Sequence, residues 1–277
     1  TLEDLCGVPV AGVSPYTHVD IDDEASLTER FDKSTERKLI DIAVIRLPRI
    51  SNFTDFSPFE RYGNVSLRYV DSVGDLHQPD MIILPGTKST IADLRWLRQC
   101  GLEAAIHKAA DAGTLVFGVC GGYQMLGRTV SDPEQVEAAG TTEILGMGLL
   151  EMDTIFLGEK VQAQTTGVFA GISGVLSDLN GMSYSGYEIH MGRSEEEMPA
   201  LAGTGNVYGS YVHGVFDASG ISDTILKALC VRKGIDFDAL ETFDISEYKE
   251  HQYDLLADAV RSGLDMEFIY RILNREA

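Results

Sequence analysis

The chain has 277 residues, of which 44% are hydrophobic, so it can bury a substantial apolar core in one large domain or slightly more. Its formal net charge is −21, from 22 Lys and Arg against 43 Asp and Glu, with both signs scattered along the sequence. Such a field repels phosphate backbones and anionic lipid surfaces, so we expect neither nucleic acid nor a membrane as a partner. The sequence contains neither a long apolar run nor a secretory signal pattern, which favours a cytoplasmic location.

Residues 1–38 differ in composition from the rest of the chain. The segment from Val8 to Val13 has the apolar pattern of a strand, and the residues after it are polar and acidic without clear periodicity. The sequence starts at Thr1 without an initiator methionine. We therefore expect a remnant of an upstream domain and a linker here, within a longer protein.

Short apolar runs alternate with a helical segment from residue 39 onward. "LIDIAVIRLPRI" begins at Leu39, "NVSLRYV" spans residues 64–70 and "PDMIILPG" spans residues 79–86, and each has the length of a buried strand. A helical pattern then ends at Gly113, and the apolar run "TLVFGV" follows it. This order predicts an α/β fold with a mostly parallel sheet flanked by helices.

Two further patterns complete the chain. Residues 146–211 contain successive apolar segments with glycine-rich turns, which indicates an added β-rich segment. Residues 222–234 are helical, and residues 244–274 have the pattern of two helices broken near Gly263, with Asp265 as a cap. The predicted organisation has three parts: the remnant and linker over 1–38, an α/β domain over 39–235, and a C-terminal helical extension packed on it over 236–277.

One cysteine stands where a predicted strand meets a predicted helix. In "LVFGVCGGYQMLG", residues 115–127, Cys120 follows the apolar run and has Gly118, Gly121 and Gly122 as neighbours. Glycines relieve the strained backbone of a nucleophile elbow, and the positive end of a helix favours a thiolate. Backbone N–H groups of the turn, beginning with that of Gly121, can donate to an oxyanion. The alternative is a small buried cysteine whose glycine neighbours allow close helix packing.

A nucleophilic thiol needs a base, and two histidines qualify. His213, in "NVYGSYVHGVFD", ends an apolar strand as Cys120 does. His190, in "GYEIHMGRS", lies on a strand and shares a face with Glu188, two residues before it. Spacing alone does not choose between these two. The remaining histidines lie in polar or helical-surface contexts that are typical of solvated side chains: His18, His77, His107 and His251.

Neither a metal site nor a nucleotide site is expected within this chain. The cysteines Cys6, Cys100, Cys120 and Cys230 are far apart, without a CxxC pair or a histidine at ligand spacing. Lys88 follows "LPGT", but the full phosphate-binding pattern GxxxxGK[ST] is absent.

The motifs "VFGVCGGYQMLG" and "YGSYVHGVFD" resemble those of class I glutamine amidotransferases. The narrower resemblance is to the amidotransferase domain of the cobyric acid synthase family, and "GVPVAGVSPY" is similar to the end of that family's preceding ATP-dependent synthetase domain. The resemblance covers essentially the whole chain and implies the flavodoxin-like fold of class I amidotransferases. It rests on "IAVIRLPRISNFTDFSPF" at 42–59, "LPGTKSTIADLRWLR" at 84–98, "GYEIHMGRS" at 186–194 and "LLADAVRSGLDMEFIYRIL" at 255–273.

The resemblance implies a role for each matching residue. Cys120 would attack the carboxamide carbon of glutamine, and His213 would be the base and then the acid that protonates the departing ammonia. The N–H groups of Gly86 and Gly121 would form the oxyanion hole. Gln124 would help to hold the substrate glutamine, and Tyr211 is a further substrate-binding candidate.

One position departs from the wider amidotransferase pattern. Many class I amidotransferases carry a glutamate two residues after the histidine, whereas this chain has Val215, as the cobalamin-pathway branch does. We expect Glu188 or Asp217 to take over part of the orienting role or to bind the substrate amine. The segment "RLPRISNFTDF" keeps two interpretations: a strand with a packed loop, or a surface that positions the synthetase domain.

The resemblance also implies the partners. Glutamine would be the substrate, and the upstream synthetase domain would bind ATP, Mg²⁺ and the corrinoid, so no cofactor is expected in this chain itself. The product would be adenosylcobyrinic acid a,c-diamide amidated at its b, d, e and g carboxylates. The alternatives are the amidotransferase domain of a related ligase, either cobyrinate a,c-diamide synthase or a lipid II amidating complex, and a non-catalytic module of the same fold.

Overall fold

The computed structural model of the chain describes residues 2–17, 19, 37–137, 140, 142–194, 199–218, 220–241 and 245–274. The chain forms two compact units, one of residues 24–242 and one of residues 1–23 together with 243–277. No helix within these described residues is both long and apolar enough to cross a membrane.

A six-stranded sheet forms the centre of the larger unit. All of its neighbouring strands run parallel except the last, which is antiparallel. Its central strands are completely buried, as expected when both faces of a parallel sheet are covered. This architecture confirms the predicted α/β fold with a mostly parallel sheet. In spatial order the strands are β2 (Val65–Val70), β1 (Ile40–Ile45), β3 (Met81–Leu84), β4 (Leu115–Val119), β10 (Val207–Ser210) and β9 (Ala202–Thr204).

Two consecutive helices connect β3 to β4. They are α3 (Thr90–Gln99) and α4 (Leu102–Asp111), and Gly101 separates them with a φ of 81°. The apolar stripe of each helix is buried, because the side chains at helical spacing face the core. The other helices of this unit are α2 (Val73–Leu76), α5 (Gly121–Leu126) and α6 (Ile221–Lys233), with 3-10 helices at Phe53–Arg61, Gly174–Leu179 and Phe237–Leu240.

A second sheet of four strands accounts for the β-rich segment that the sequence predicted. Its longest strands, β7 and β8, form an antiparallel pair with an irregularity between Phe156 and Val161. The strand β5 is parallel to β7 and antiparallel to β6. In spatial order the strands are β6 (Glu143–Leu145), β5 (Thr129–Ser131), β7 (Asp153–Val168) and β8 (Ser183–Ser194).

The smaller unit joins the two ends of the chain. It contains α1 (Leu2–Cys6), α7 (Ile245–Gly263) and α8 (Met266–Leu273). The side chain of Asp265 accepts a 2.9 Å hydrogen bond from the N–H of Phe268, which confirms the predicted break and cap.

The N-terminal segment differs from the sequence prediction. The strand predicted at Val8–Val13 is wrong, because among the described residues an isolated bridge between Gly12 and Leu264 is its only β pairing. Residues 18 and 20–36 of the predicted linker lie outside the described residues. The predicted division at residues 38 and 235 stays a prediction.

Candidate active site

Cys120 lies in the sharp turn between β4 and α5. Its φ of 50° and ψ of −108° are rare for a residue with a side chain, so the backbone here is strained. The N–H of Cys120 donates to the carbonyl of Ser210 in β10 (2.8 Å), and its own carbonyl accepts from the N–H of Gln124 (3.0 Å). The sheet on one side and the helix on the other therefore hold the thiol in place.

The neighbouring glycines allow the close contacts of this turn. A Cβ atom on Gly122 would lie 2.0 Å from the carbonyl oxygen of Leu84, and one on Gly118 would lie 2.7 Å from the Cα of Tyr123. At such distances no side chain fits without moving backbone. These glycines therefore have the packing role that the sequence allowed as an alternative. Their close contacts place the start of α5 next to Cys120.

His213 is held between an acid and the thiol. Its Nδ1 donates to Oδ2 of Asp55 (2.7 Å), and the N–H of Gly214 donates to the other carboxylate oxygen (3.0 Å). Cys120 acts on the His213 ring by raising its pKa, and Sγ of Cys120 lies 3.7 Å from the carbonyl oxygen of Ile189. The side chains of His213 and Asp55 are only 1% and 5% exposed. Three side chains thus form one buried series, Cys120–His213–Asp55.

The charge state of His213 follows from its two partners. Burial alone would lower the pKa of His213, but the hydrogen bonds to Asp55 and Cys120, together with the negative charges of these groups, raise it to about 10. An imidazole with this pKa is cationic at neutral pH. A cationic imidazole can give its proton to a leaving group, which is the role of a general acid.

The acid that contacts His213 is not one of the two that the sequence suggested. Glu188 contacts a different histidine, with its Oε2 lying 3.2 Å from Nε2 of His190. Asp217 donates its backbone N–H to the carbonyl of Gly214 (3.0 Å). Because Asp55 occupies Nδ1 of His213, the expectation that Glu188 or Asp217 orients this ring is corrected. Their alternative role, binding of the substrate amine, stays a prediction.

Asp55 belongs to the motif whose interpretation the sequence left open. It lies within the 3-10 helix Phe53–Arg61, between the buried aromatic residues Phe53 and Phe56. A buried carboxylate requires a partner. An acid among the three phenylalanines of "NFTDFSPF" was therefore the signal that could have identified it.

His190, the second histidine candidate, has other partners. Its Nδ1 lies 2.6 Å from the carbonyl oxygen of Gly192, and its Nε2 is close to Glu188. Its ring stacks on Tyr211 with the ring centroids 4.1 Å apart. Both ring nitrogens of His190 therefore have partners other than Cys120, whereas Cys120 is one of the groups that raise the pKa of His213.

Strand β8 supports the backbone of His213. Tyr187 and His213 exchange two backbone hydrogen bonds of 2.8 and 3.1 Å, and their rings stack with centroids 5.2 Å apart. A Cβ on Gly186 would lie 2.1 Å from the carbonyl oxygen of His213, so the close approach needs a glycine. The motif "GYEIH" thus fixes the position of the histidine from the second sheet.

A cleft of about 530 Å³ opens beside the thiol. Cys120, Gly121 and Gln124 line it, as does His190. Gly86, the other candidate for the oxyanion hole, adjoins His213, because a Cβ on it would lie 3.2 Å from Cε1 of that ring. The cleft therefore offers a substrate direct access to the sulfur.

The two predicted substrate-binding residues differ in their access to this cleft. Gln124 lines it, and its Oε1 accepts from the Thr90 hydroxyl (3.0 Å). The Nε2 of Gln124 is buried and has no hydrogen-bond partner among the described residues. Tyr211 packs between the rings of His190 and Tyr123 and supports the wall from behind.

The cysteines show no sign of a shared site. All four are free thiols. Within the described part of the chain, no group of three or more His, Cys, Asp or Glu side chains is arranged to hold a metal ion.

Comparison with known proteins gives consistent matches. Residues 41–221 match the CobB/CobQ-like glutamine amidotransferase domain. The cobyric acid synthase of Lachnoclostridium phytofermentans is 51% identical over 98% of this chain and 57% of its own length. That of Ruminiclostridium cellulolyticum is 49% identical over 98% of this chain and 56% of its own. The chain therefore spans little more than half the length of these curated relatives. A crystal structure of a glutamine amidotransferase aligns with 70% of this chain and 99% of its own, at 16% identity and a TM-score of 0.49.

Proposed function

We propose that this chain, which belongs to the CobB/CobQ-like glutamine amidotransferase family, hydrolyses glutamine to glutamate and ammonia at Cys120. The observation that carries the proposal is the buried series Cys120–His213–Asp55 at the edge of an open cleft. A nucleophile, a base and a group that orients the base are the parts that covalent hydrolysis of an amide requires.

In the first half of the proposed reaction, Sγ of Cys120 attacks the carboxamide carbon of glutamine. The carbonyl oxygen becomes an oxyanion as the C–S bond forms. The C–N bond then breaks, and His213 gives its proton to the nitrogen so that ammonia leaves. The product on the enzyme is a γ-glutamyl thioester of Cys120.

In the second half, water replaces ammonia. The neutral His213 removes a proton from the water, whose oxygen attacks the thioester carbon. The C–S bond breaks, glutamate leaves, and the His213 imidazolium and Cys120 thiolate return. Asp55 stays ionised throughout and keeps the imidazole oriented.

Backbone N–H groups are the proposed oxyanion hole. That of Gly121 belongs to the first turn of α5, where N–H groups have no partner within the helix. That of Gly86 belongs to the loop after β3, beside His213. One such donor contributes about 3 kcal/mol to stabilisation of the transition state in known hydrolases.

The ammonia would serve a synthetase reaction in the whole protein. The curated relatives are cobyric acid synthases, and the chain covers 57% of the first of them. We propose that a linked synthetase domain binds ATP, Mg²⁺ and the corrinoid, and amidates the b, d, e and g carboxylates of adenosylcobyrinic acid a,c-diamide. The competing ligases would share the glutaminase step and differ in the acceptor.

The test of the glutaminase step is release of ammonia from glutamine by this chain, alone and with the synthetase domain of a relative. The Cys120→Ala variant should be inactive. Cys100→Ala is a matched control, because Cys100 is a free thiol at the end of α3. Ammonia release that persists in Cys120→Ala would contradict the mechanism. Failure of a glutamine-analogue electrophile to label Cys120 would favour a non-catalytic module.

The acceptor needs a separate measurement on the full-length protein. Mass spectra of the corrinoid product after reaction with amide-¹⁵N glutamine would show which carboxylates gain nitrogen. Incorporation at b, d, e and g supports the cobyric acid synthase reaction. Incorporation at a and c would instead support the diamide synthase, and none into any corrinoid would support a different ligase.

A further inference from the structure

Asp93 is a buried acid beside the cleft that the proposed hydrolysis does not use. It lies in the first turn of α3 and is 0% exposed. Its Oδ2 accepts from the backbone N–H of Arg49 (3.1 Å) and from the hydroxyl of Thr87 (2.5 Å). Its Oδ1 accepts from Nη1 of Arg49 (2.9 Å), which makes this contact an ion pair. One carboxylate thus binds residues of two different loops.

The two loops that meet at Asp93 follow the parallel strands β1 and β3. The N–H of Ser51 donates to the carbonyl of Gly86 (2.9 Å), and the N–H of Lys88 donates to the carbonyl of Arg49 (2.9 Å). Two backbone hydrogen bonds hold a loop less firmly than the ladder of a sheet does. The side chain of Asp93 therefore contributes much of what fixes one loop against the other.

The second of these loops passes directly beside the active site. A Cβ on Gly86 would lie 3.1 Å from Oγ of Ser51 and 3.2 Å from Cε1 of His213, so Gly86 fits between these two residues. Thr87 lies against Gly121, because a Cβ on Gly121 would lie 2.7 Å from Cγ2 of Thr87. The loop that Asp93 holds therefore adjoins both glycines whose N–H groups are the proposed oxyanion donors.

The charge of Asp93 offers geometry rather than stability. The side chain of Arg49 is 50% exposed, so only the acid of this ion pair is buried. Burial of a carboxylate costs free energy that an ion pair returns only in part, and an apolar residue in its place is often equally stable. An apolar residue could not make the three directed hydrogen bonds that Asp93 accepts from the two loops.

We propose that Asp93 is a positioning residue of the oxyanion hole, because through Arg49 and Thr87 it fixes the loop that carries the N–H of Gly86. Donors of such a hole act only when they already lie where negative charge develops. A small displacement of this loop therefore slows the chemical step. This inference rests on the proposed function, because the hole serves the same reaction.

The experiment compares Asp93→Asn with a matched control, Asp41→Asn. Asp41 also forms a buried ion pair, with its Oδ1 lying 2.7 Å from Nε of Arg68. It lies near the start of β1, whereas Cys120 follows the end of the parallel strand β4, so the control pair is at the opposite end of the sheet. Steady-state ammonia release gives kcat and KM for each protein, and urea unfolding gives the loss of stability.

Two further measurements separate the position of the loop from the reactivity of the thiol. Iodoacetamide alkylates Cys120 as the C–S bond forms and iodide leaves, so this reaction develops no oxyanion. Its rate at Cys120 is followed by mass spectrometry of the peptides. Hydrogen exchange at the N–H groups of Ser51 and Lys88 reports on the contact between the two loops.

The effect of Asp93→Asn should appear in the chemical step. We expect kcat to fall about 10- to 100-fold, up to the loss of one oxyanion donor, and KM to change by less than about threefold. Alkylation of Cys120 should stay within about twofold of wild type, since it needs no oxyanion hole. Exchange at Ser51 and Lys88 should be protected in wild type and about tenfold faster or more in the variant. Asp41→Asn should leave kcat within about twofold, whatever its stability.

Substitution of Arg49 tests the same contact without changing the buried acid. Because this side chain is half exposed, its variants should fold even if Asp93→Asn does not. Arg49→Met removes the cation and should lower kcat about tenfold. Arg49→Lys keeps a cation beside Asp93 and should remain within about threefold of wild type.

Four results would overturn the inference. One is equal slowing of glutamine hydrolysis and of Cys120 alkylation, because Asp93 would then act through the thiol. Another is an unchanged kcat in Arg49→Met or in a folded Asp93→Asn protein. The third is a similar loss of kcat in Asp41→Asn, which a general loss of stability predicts. The fourth is unprotected exchange at Ser51 and Lys88 in wild type, and this result needs no variant.

Failure of the proposed function has a different signature. The wild-type chain would then release no ammonia from glutamine, alone or with the synthetase domain of a relative. Hydrogen exchange in wild type and Asp93→Asn would still show whether Asp93 holds the loop of Gly86.

Discussion

Oδ2 of Asp55 lies 2.7 Å from Nδ1 of His213, although 158 residues separate them in the chain. The first residue belongs to the 3-10 helix after β1 and the second to the segment after β10, so the parallel sheet brings their strand ends to one edge. Carboxyl ends of parallel strands are the usual location of ligand sites in such sheets. The contact explains how His213 is oriented although Val215 occupies the position of the usual glutamate.

Removal of the Asp55 charge should impair hydrolysis. In Asp55→Asn the ring of His213 loses the hydrogen bond and the charge that favour its cationic form, so its pKa should fall. We expect kcat for glutamine hydrolysis to fall roughly 10²-fold or more, by analogy with loss of the orienting acid in other hydrolases. The measurement is steady-state ammonia release as a function of pH.

The two acids that the sequence suggested serve as controls for this substitution. Glu188→Gln and Asp217→Asn leave the bond between Asp55 and His213 in place, so kcat should change by less than about tenfold in each. If either variant lost as much kcat as Asp55→Asn, the orienting role would not belong to Asp55 alone.

The raised pKa of His213 predicts a specific dependence of stability on pH. The folded chain holds this proton up to a pKa of about 10, whereas the unfolded chain releases it near the usual 6.5. The stabilisation is therefore fully present below pH 6.5 and is lost as the pH rises to about 10. In Asp55→Asn this dependence should be weaker.

Urea unfolding at pH 6, 8 and 10 and constant ionic strength tests this sign. We expect the difference in free energy of unfolding between wild type and Asp55→Asn to shrink as the pH rises. A difference that grows with pH would show that the folded protein holds His213 neutral.

Substitutions of the two histidines that spacing could not distinguish, His190 and His213, should have different effects on the kinetics of glutamine hydrolysis. His213→Gln removes the group that transfers protons, so kcat should fall about 10²- to 10⁴-fold. His190→Gln alters only a wall of the cleft, where the ring stacks on Tyr211, and should change mainly KM, by less than about tenfold. The measurement is steady-state ammonia release by both variants. A similar loss of kcat in the two would contradict the assignment of His213 as the group that transfers protons.

Features that depend on neighbouring residues were predictable from the sequence. The turn at Cys120 could be predicted because its strand, its glycines and its helix are contiguous in the sequence. The cap at Asp265 could be predicted for the same reason. Pattern alone could not choose His213 over His190, since the choice depends on where β8 and β10 lie relative to β4. The error at Val8–Val13 has the same origin, because an apolar run becomes a strand only where a partner continues the ladder.

Asp55 was missed for two physical reasons. Its segment forms a 3-10 helix that includes Pro58, and short irregular elements of this kind lack the periodicity by which helices and strands are recognised. Its partner is distant in sequence, so no spacing rule connects them. Only the burial of a charged group among aromatic residues pointed to a contact.

The glycine at the start of α5 should be essential for the fold of the site. A Cβ on Gly122 would lie 2.0 Å from the carbonyl oxygen of Leu84 and 2.7 Å from that of Pro85, and neither backbone atom can move without displacing β3. We expect Gly122→Ala to lower the free energy of unfolding by more than about 2 kcal/mol and to slow labelling of Cys120. Gly74→Ala is the control, since its Cβ would have its closest contact at an ordinary 3.7 Å. Urea unfolding and labelling of both variants provide the test, and a Gly122→Ala protein as stable as Gly74→Ala would show that α5 does not pack this closely on the sheet.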